Sequence, residues 1–143
     1  MFVTVWLGIL DLRTGDLTAA SAGHEYPILK EPDGRFQVFK DRHGMPIGAF
    51  DAAVYREYSL HLSPGSVLFV YTDGLAEATD RRNVQFGLDR ATDVLNTAFS
   101  LDPEVLIHTV HDAVDSFVGT APQFDDLTML SLVWHGTESL ADG

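Results

Sequence analysis

Val67-Leu68-Phe69-Val70-Tyr71-Thr72-Asp73-Gly74 is the stretch from which the rest of the chain is best read. Its five successive apolar or aromatic residues lack the alternation of a half-wet strand, which predicts a strand covered on both faces. Such a strand delivers its last residues to the edge of a packed sheet, so Asp73 emerges where a hydrophobic segment meets solvent. Gly74 permits a close backbone approach that a side chain would block. A carboxylate so placed is a candidate ligand for a hard divalent cation, and equally the turn former or cap that Asp supplies at strand ends.

Working outward, Ser63-Pro64-Gly65-Ser66 reverses the chain before this strand, and residues 54–62 alternate imperfectly, as a strand with one wet face does. Further upstream, Glu31-Pro32-Asp33-Gly34 separates Pro27-Ile28-Leu29 from Phe36-Gln37-Val38-Phe39, and Arg13-Thr14-Gly15-Asp16 separates residues 3–11 from 17–22. Two hairpins in succession predict an antiparallel meander. Downstream, helical periodicity begins only after residue 85, with Leu88, Ala91, Val94, Leu95 and Ala98 on one face. A second helix has Asp102 as N-cap, Pro103 at its first position, a stripe of Leu106, Val110, Ala113, Val114 and Phe117, and Gly119 at its end. Residues 127–134 read as a closing strand. This order predicts an α+β domain in which helices cover one face of a mostly antiparallel sheet.

The chain has 143 residues, of which 45% are hydrophobic and 21% charged, the composition of a single globular domain. Its net charge of −12 argues against nucleic acid and anionic membrane surfaces as partners. With no cysteine, thiol chemistry, zinc–thiolate sites and disulfide frameworks are excluded. The apolar start, Met1 to Leu10, lacks a basic lead and a cleavage site and meets Asp11 too soon to span a bilayer, so it reads as neither signal peptide nor membrane anchor. A strand meant for burial that begins at the first residue leads us to expect that a segment precedes it. Residues 136–143 read as a polar tail, leaving residues 1–135 as the domain.

A second acidic motif, Phe124-Asp125-Asp126-Leu127-Thr128, places two carboxylates just before the last strand. Carboxylates suit Mg²⁺ and Mn²⁺, neither of which needs cysteine. His24 reads first as a hydrogen-bonded structural residue, and His108 and His111, three apart on the second helix, as a solvated face rather than a metal site. Arg81-Arg82 serve equally as loop charges or as an attraction for a phosphate. Trp6 and Trp134 read as core or sheet-face aromatics, and the glycines form neither a P-loop nor a dinucleotide fingerprint.

Taken together and in order, Phe2-Val3-Thr4, Leu10-Asp11 with Thr14-Gly15, Ala22-Gly23-His24, Gly44-Met45-Pro46-Ile47-Gly48, residues 71–78, Phe86-Gly87 and Asp125-Asp126-Leu127-Thr128 resemble the SpoIIE-like protein phosphatases, metal-dependent serine/threonine phosphatases of the PPM type. The resemblance runs from residue 2 to about Trp134. It implies a PPM-phosphatase-like α-β-β-α sandwich of antiparallel sheets flanked by helices, with two Mn²⁺ or Mg²⁺ ions in a cleft at one end. Asp73 and Asp125 match the family's metal-binding aspartates and carry the catalytic role, with Gly74 and Asp126 beside them at the metal. The ions would activate a water against a phosphoserine or phosphothreonine and locally reverse the repulsion that the acidic chain exerts on phosphate.

The family's earlier Gly-Gly-Asp motif, whose aspartate bridges both metals, does not occur in this sequence. The chain thus reads as the later part of the catalytic domain, incomplete at its N-terminus, with an exposed apolar patch along the strand beginning at Phe2. Homodimers through unpaired sheet edges are expected from that patch. By resemblance the substrate is a phosphorylated anti-anti-sigma-type protein of bacterial sigma-factor regulation, and the location cytoplasmic. The competing readings are a catalytically inactive interaction module of the same partner-switching pathways and an unrelated β-rich small-molecule binder.

Overall fold

In chain order the elements are β1 (Val5–Leu10), β2 (Asp16–Ala22), β3 (Ile28–Lys30), β4 (Gln37–Val38), β5 (His43–Gly44), β6 (Glu57–His61), β7 (Ser66–Tyr71), α1 (Asp73–Glu77), α2 (Gly87–Thr97), α3 (Pro103–Val118) and β8 (Met129–Trp134). The computed structural model describes residues 1–123 and 125–137, so most of the polar-tail reading and Phe124 lie outside the described residues.

The unbroken apolar run becomes β7, which pairs antiparallel with β3 on one edge and β8 on the other, in a sheet ordered β4-β3-β7-β8. Alternate residues serve different layers, as the two-residue period of a strand requires. Val67, Phe69 and Tyr71 join Ile28, Leu75 of α1, Leu95 of α2 and Leu106, Val110 and Val114 of α3 in the main core. Leu68 and Ser66, also buried, point the other way. There the register groups them with Leu132 and Trp134, and the ring of Trp134 lies against Gly15.

The second sheet is built on β2, with β1 antiparallel on one side and β6 antiparallel plus β5 parallel on the other. Register places Leu17, Ala19 and Ser21 of β2 on one face with Trp6, Tyr58 and Leu60. That face meets the first sheet: the rings of Tyr58 and Phe39 are 5.7 Å apart. The two hairpins do not form the expected meander, because they belong to different sheets. Once β6 and β5 take the free edge of β2, the next hairpin has no edge there to join, and β3 instead finds the apolar edge of β7. The chain leaves β2 at Gly23, whose φ of +67° and contact with the Pro46 ring leave no room for a side chain.

α3 follows its sequence signals: Asp102 accepts hydrogen bonds from the backbone N–H groups of Glu104 and Val105, Pro103 opens the helix and Gly119 closes it at φ +60°. Helical structure nonetheless begins earlier than the periodicity predicts, since Asp73–Glu77 forms α1, too short for an amphipathic repeat to register. The N-terminal strand, apolar enough for burial, is not buried. Val5, Leu7 and Ile9 are 36%, 60% and 68% exposed, and with Phe2 and Val3 they form the expected apolar patch. No helix among the described residues is long and apolar enough to cross a membrane.

Candidate functional site

The end of β7 and the start of β8 lie side by side, and Thr72 ties them. Its backbone N–H donates to the Thr128 carbonyl at 3.0 Å, its hydroxyl donates to the Asp126 carbonyl at 3.2 Å, and the Thr128 N–H donates to that hydroxyl at 3.1 Å. Two acidic motifs more than fifty residues apart are thereby brought to one place. Gly74 is buried directly under the Asp126 backbone, and a Cβ there would collide with the Asp126 carbonyl oxygen. The sequence-based expectation of close backbone approach at Gly74 is met by a definite partner.

Asp73, at the first position of α1, is exposed, as are Asp125 and Asp126. The Asp125 carboxylate accepts the Asp126 N–H at 2.7 Å, and its carbonyl accepts the Gln123 amide at 2.9 Å. A further carboxylate interacts with Asp73. Tyr71 donates its hydroxyl to the Tyr26 carbonyl at 2.7 Å, which fastens the segment carrying Glu25 beside the end of β7. Partial burial, and then the negative charges of Asp73 and Glu77, hold the Glu25 carboxyl above the usual carboxylate range, with His24 and His43 pulling the other way. Glu25 and Thr72 were not singled out by sequence reasoning. Nothing local marks either one, although the Ala-Gly-His motif stops one residue short of Glu25.

The segment carrying Glu25 is braced from the other sheet. Trp6 donates to the Tyr58 hydroxyl at 2.9 Å, Tyr58 donates to Asp41 at 2.8 Å, and the other Asp41 oxygen lies 3.1 Å from His43, whose ring packs tilted against that of Tyr26 with centroids 4.7 Å apart. The Asp41 side chain is fully buried, so these two partners replace its lost hydration.

The donors at the Asp73–Asp126 junction are all hard oxygens, the chemistry Mg²⁺ and Mn²⁺ prefer. Among the described residues, however, no group of three or more His, Cys, Asp or Glu side chains gathers closely enough to hold an ion. The chain's residues therefore fit as one wall of a divalent-cation site and do not close it. Of the other candidates, His24 lies 3.5 Å from the Thr4 hydroxyl, and His108 and His111 pair with Glu104 and Asp115 on the exposed side of α3. Arg82 pairs with Asp80, whose carboxylate also accepts backbone N–H groups at a left-handed turn through Asn83, and Arg81 is exposed.

Two mainly antiparallel sheets facing each other, helices on one side and aspartates at adjoining strand ends define a PP2C-type phosphatase fold, and solved domains of that class match this chain. The phosphatase domain of SpoIIE from Bacillus subtilis matches with a TM-score of 0.72 at 16% identity, covering 94% of this chain and 59% of that one. The RsbU and RsbW domains of a Mycobacterium tuberculosis protein match at TM-score 0.77 and 22% identity, over 93% and 37% of the two chains. The SiaA PP2C domain of Pseudomonas aeruginosa matches at 0.73 and 25%, over 91% and 51%. The chain belongs to the SpoIIE family: the family model for Stage II sporulation protein E matches residues 1–135. Protein IcfG of Synechocystis sp. is 30% identical over 132 residues, 92% of this chain and 20% of that protein. The chain thus spans a fifth of that relative and between about a third and three fifths of the three structural ones.

Proposed function

We propose that the chain forms the Asp73–Asp125 side of a metal-dependent phosphatase site that hydrolyses phosphoserine or phosphothreonine on a protein, an anti-anti-sigma-type regulator in the bacterial cytoplasm. The observation that supports this reading best is the Thr72 clasp, which sets Asp73 and Gly74 against Asp125 and Asp126 in a member of the SpoIIE family. Asp73 and Asp125, with Gly74 and Asp126 adjacent, would hold Mn²⁺ or Mg²⁺, two ions in a complete site. When bound, such ions activate water and neutralise charge on the phosphoryl oxygens. The chain's own contribution is positional. Thr72 holds the two acidic segments at fixed spacing, the start of α1 at Asp73 fixes the backbone from which its carboxylate extends, and Glu25 adds negative charge that deepens the well for a cation.

The test is Mn²⁺-dependent hydrolysis of p-nitrophenyl phosphate. Asp73→Asn is expected to lower turnover at least about 100-fold, the scale on which loss of a group that stabilises transition-state charge acts. A second reading, an inactive phosphatase-like interaction module, draws support from the absence of a closed carboxylate cluster among the described residues. Turnover indistinguishable from Asp73→Asn at every Mn²⁺ concentration would decide for that module.

A further inference from the structure

A cavity of about 260 Å³ opens between the end of α1, the C-terminal half of α3 and the segment leading into β8. It shares Gly74 and Asp125 with the site above but is otherwise separate from it. Its floor is apolar, formed by Val114, Val118 and Leu127, and its rim carries the carboxylates of Glu77, Asp115 and Asp125. Among the described residues no Lys or Arg lines it. The sole basic group among the described lining residues is His111, whose Nδ1 lies 3.3 Å from Asp115.

This combination selects its occupant. An anion is repelled by three carboxylates in a chain of net charge −12. A bare metal ion gains nothing from an apolar floor, and a purely apolar side chain would cover the carboxylates without pairing them. A long basic side chain satisfies both surfaces, laying its methylene stem on Val114, Val118 and Leu127 while its cationic head reaches the rim. The volume falls below the roughly 300–1,000 Å³ of pockets that take whole small-molecule ligands, and suits one side chain of a larger partner.

We propose that this cavity is a specificity recess for a Lys or Arg side chain of the phosphoprotein substrate, lying a few residues from the phosphorylated one. The assignment of that partner rests on the phosphatase reading; the chemistry of the recess does not. Because Asp125 belongs to both, a basic residue seated here fixes the register of the substrate backbone at the neighbouring aspartates.

The experiment is a methyl-detected NMR titration of the whole chain in magnesium buffer with acetyl-arginine amide and, separately, its neutral isostere acetyl-citrulline amide. Arginine amide is expected to shift the methyl signals of Val114, Val118 and Leu127, and citrulline amide to leave them in place. The isosteric variants Asp115→Asn and Glu77→Gln should each weaken the arginine interaction roughly two- to fivefold, the range for a rim charge. Equal shifts from both amides, shifts confined to other methyls, or no change in either variant would overturn the recess. A chain that binds arginine amide here without Mn²⁺-dependent hydrolysis retains the recess and loses the phosphatase reading. One that hydrolyses p-nitrophenyl phosphate with no arginine-specific shift loses the recess alone.

Discussion

β7 and β1 are built from the same kinds of residue and have opposite fates. Ser66–Tyr71 is paired on both edges, with the helical core on one face and the other sheet on the reverse, and Phe69 is 0% exposed. Val5–Leu10 pairs with β2 along one edge, and its Val5, Leu7 and Ile9 lie open on the outer face. Apolar content makes a strand in both cases. Whether its side chains contribute to stability depends on what lies over them, because the hydrophobic gain scales with area removed from water.

The largest effect that tests this contrast is Phe69→Ala, expected to cost about 3–5 kcal/mol in denaturant unfolding through the cavity it leaves. Leu7→Lys should stay within about 0.5 kcal/mol, since its side chain is already in water. The same variant should reduce self-association in sedimentation, because it places a charge in the exposed apolar patch that would pair copies of the chain. If Leu7→Lys proved as damaging as Phe69→Ala, the outer face of β1 would have to be covered in solution.

Next in size is the brace between the sheets. Tyr58→Phe leaves the buried Asp41 carboxylate with His43 alone and should cost about 1–3 kcal/mol. Its melting curve, read beside that of Leu7→Lys, separates the covered inner face of this sheet from its open outer face.

The smallest expected effect concerns Glu25. Its carboxyl sits above the usual range in the folded chain, so the folded state binds the proton more tightly than the unfolded one. The stability this gives is fully present below the unfolded value and is lost as pH rises through the folded one. Glu25→Gln should therefore melt progressively higher relative to wild type as the pH of a metal-free buffer is raised above the unfolded glutamate value of about 4.3. Asp73→Asn should shrink that pH-dependent difference without removing it, because burial is the first cause of the shift and Asp73 the second. A difference that stays flat with pH would show that Glu25 titrates normally.

Much of the architecture was readable from local pattern. The β7 run, the Asp102–Pro103 start of α3 and the Gly15 reversal each state a backbone preference that the tertiary structure did not override. α1 was not readable, because a five-residue helix has no periodicity and its start at Asp73 is fixed by Thr72 bonding to β8. The acidic motifs were legible as hard-oxygen donors and through the family resemblance they carry. Glu25 was not, since contacts between distant segments, the Tyr71–Tyr26 hydrogen bond among them, bring it to Asp73, and His111 read as a solvated helix residue without its place on the recess.

By itself the sequence determined most of the strands and the two longer helices, which residues bear oxygen ligands and, through the order of its motifs, the family. Those are properties of nearest neighbours along the chain, where periodicity, caps and turn residues act. Tertiary structure alone decided that successive hairpins enter different sheets, that Thr72 clasps Asp73 to Asp126, and that the apolar residues of β1 face water while those of β7 do not. Each depends on which distant edge is free and which face is covered, and sheet pairing and burial are satisfied between segments far apart in sequence.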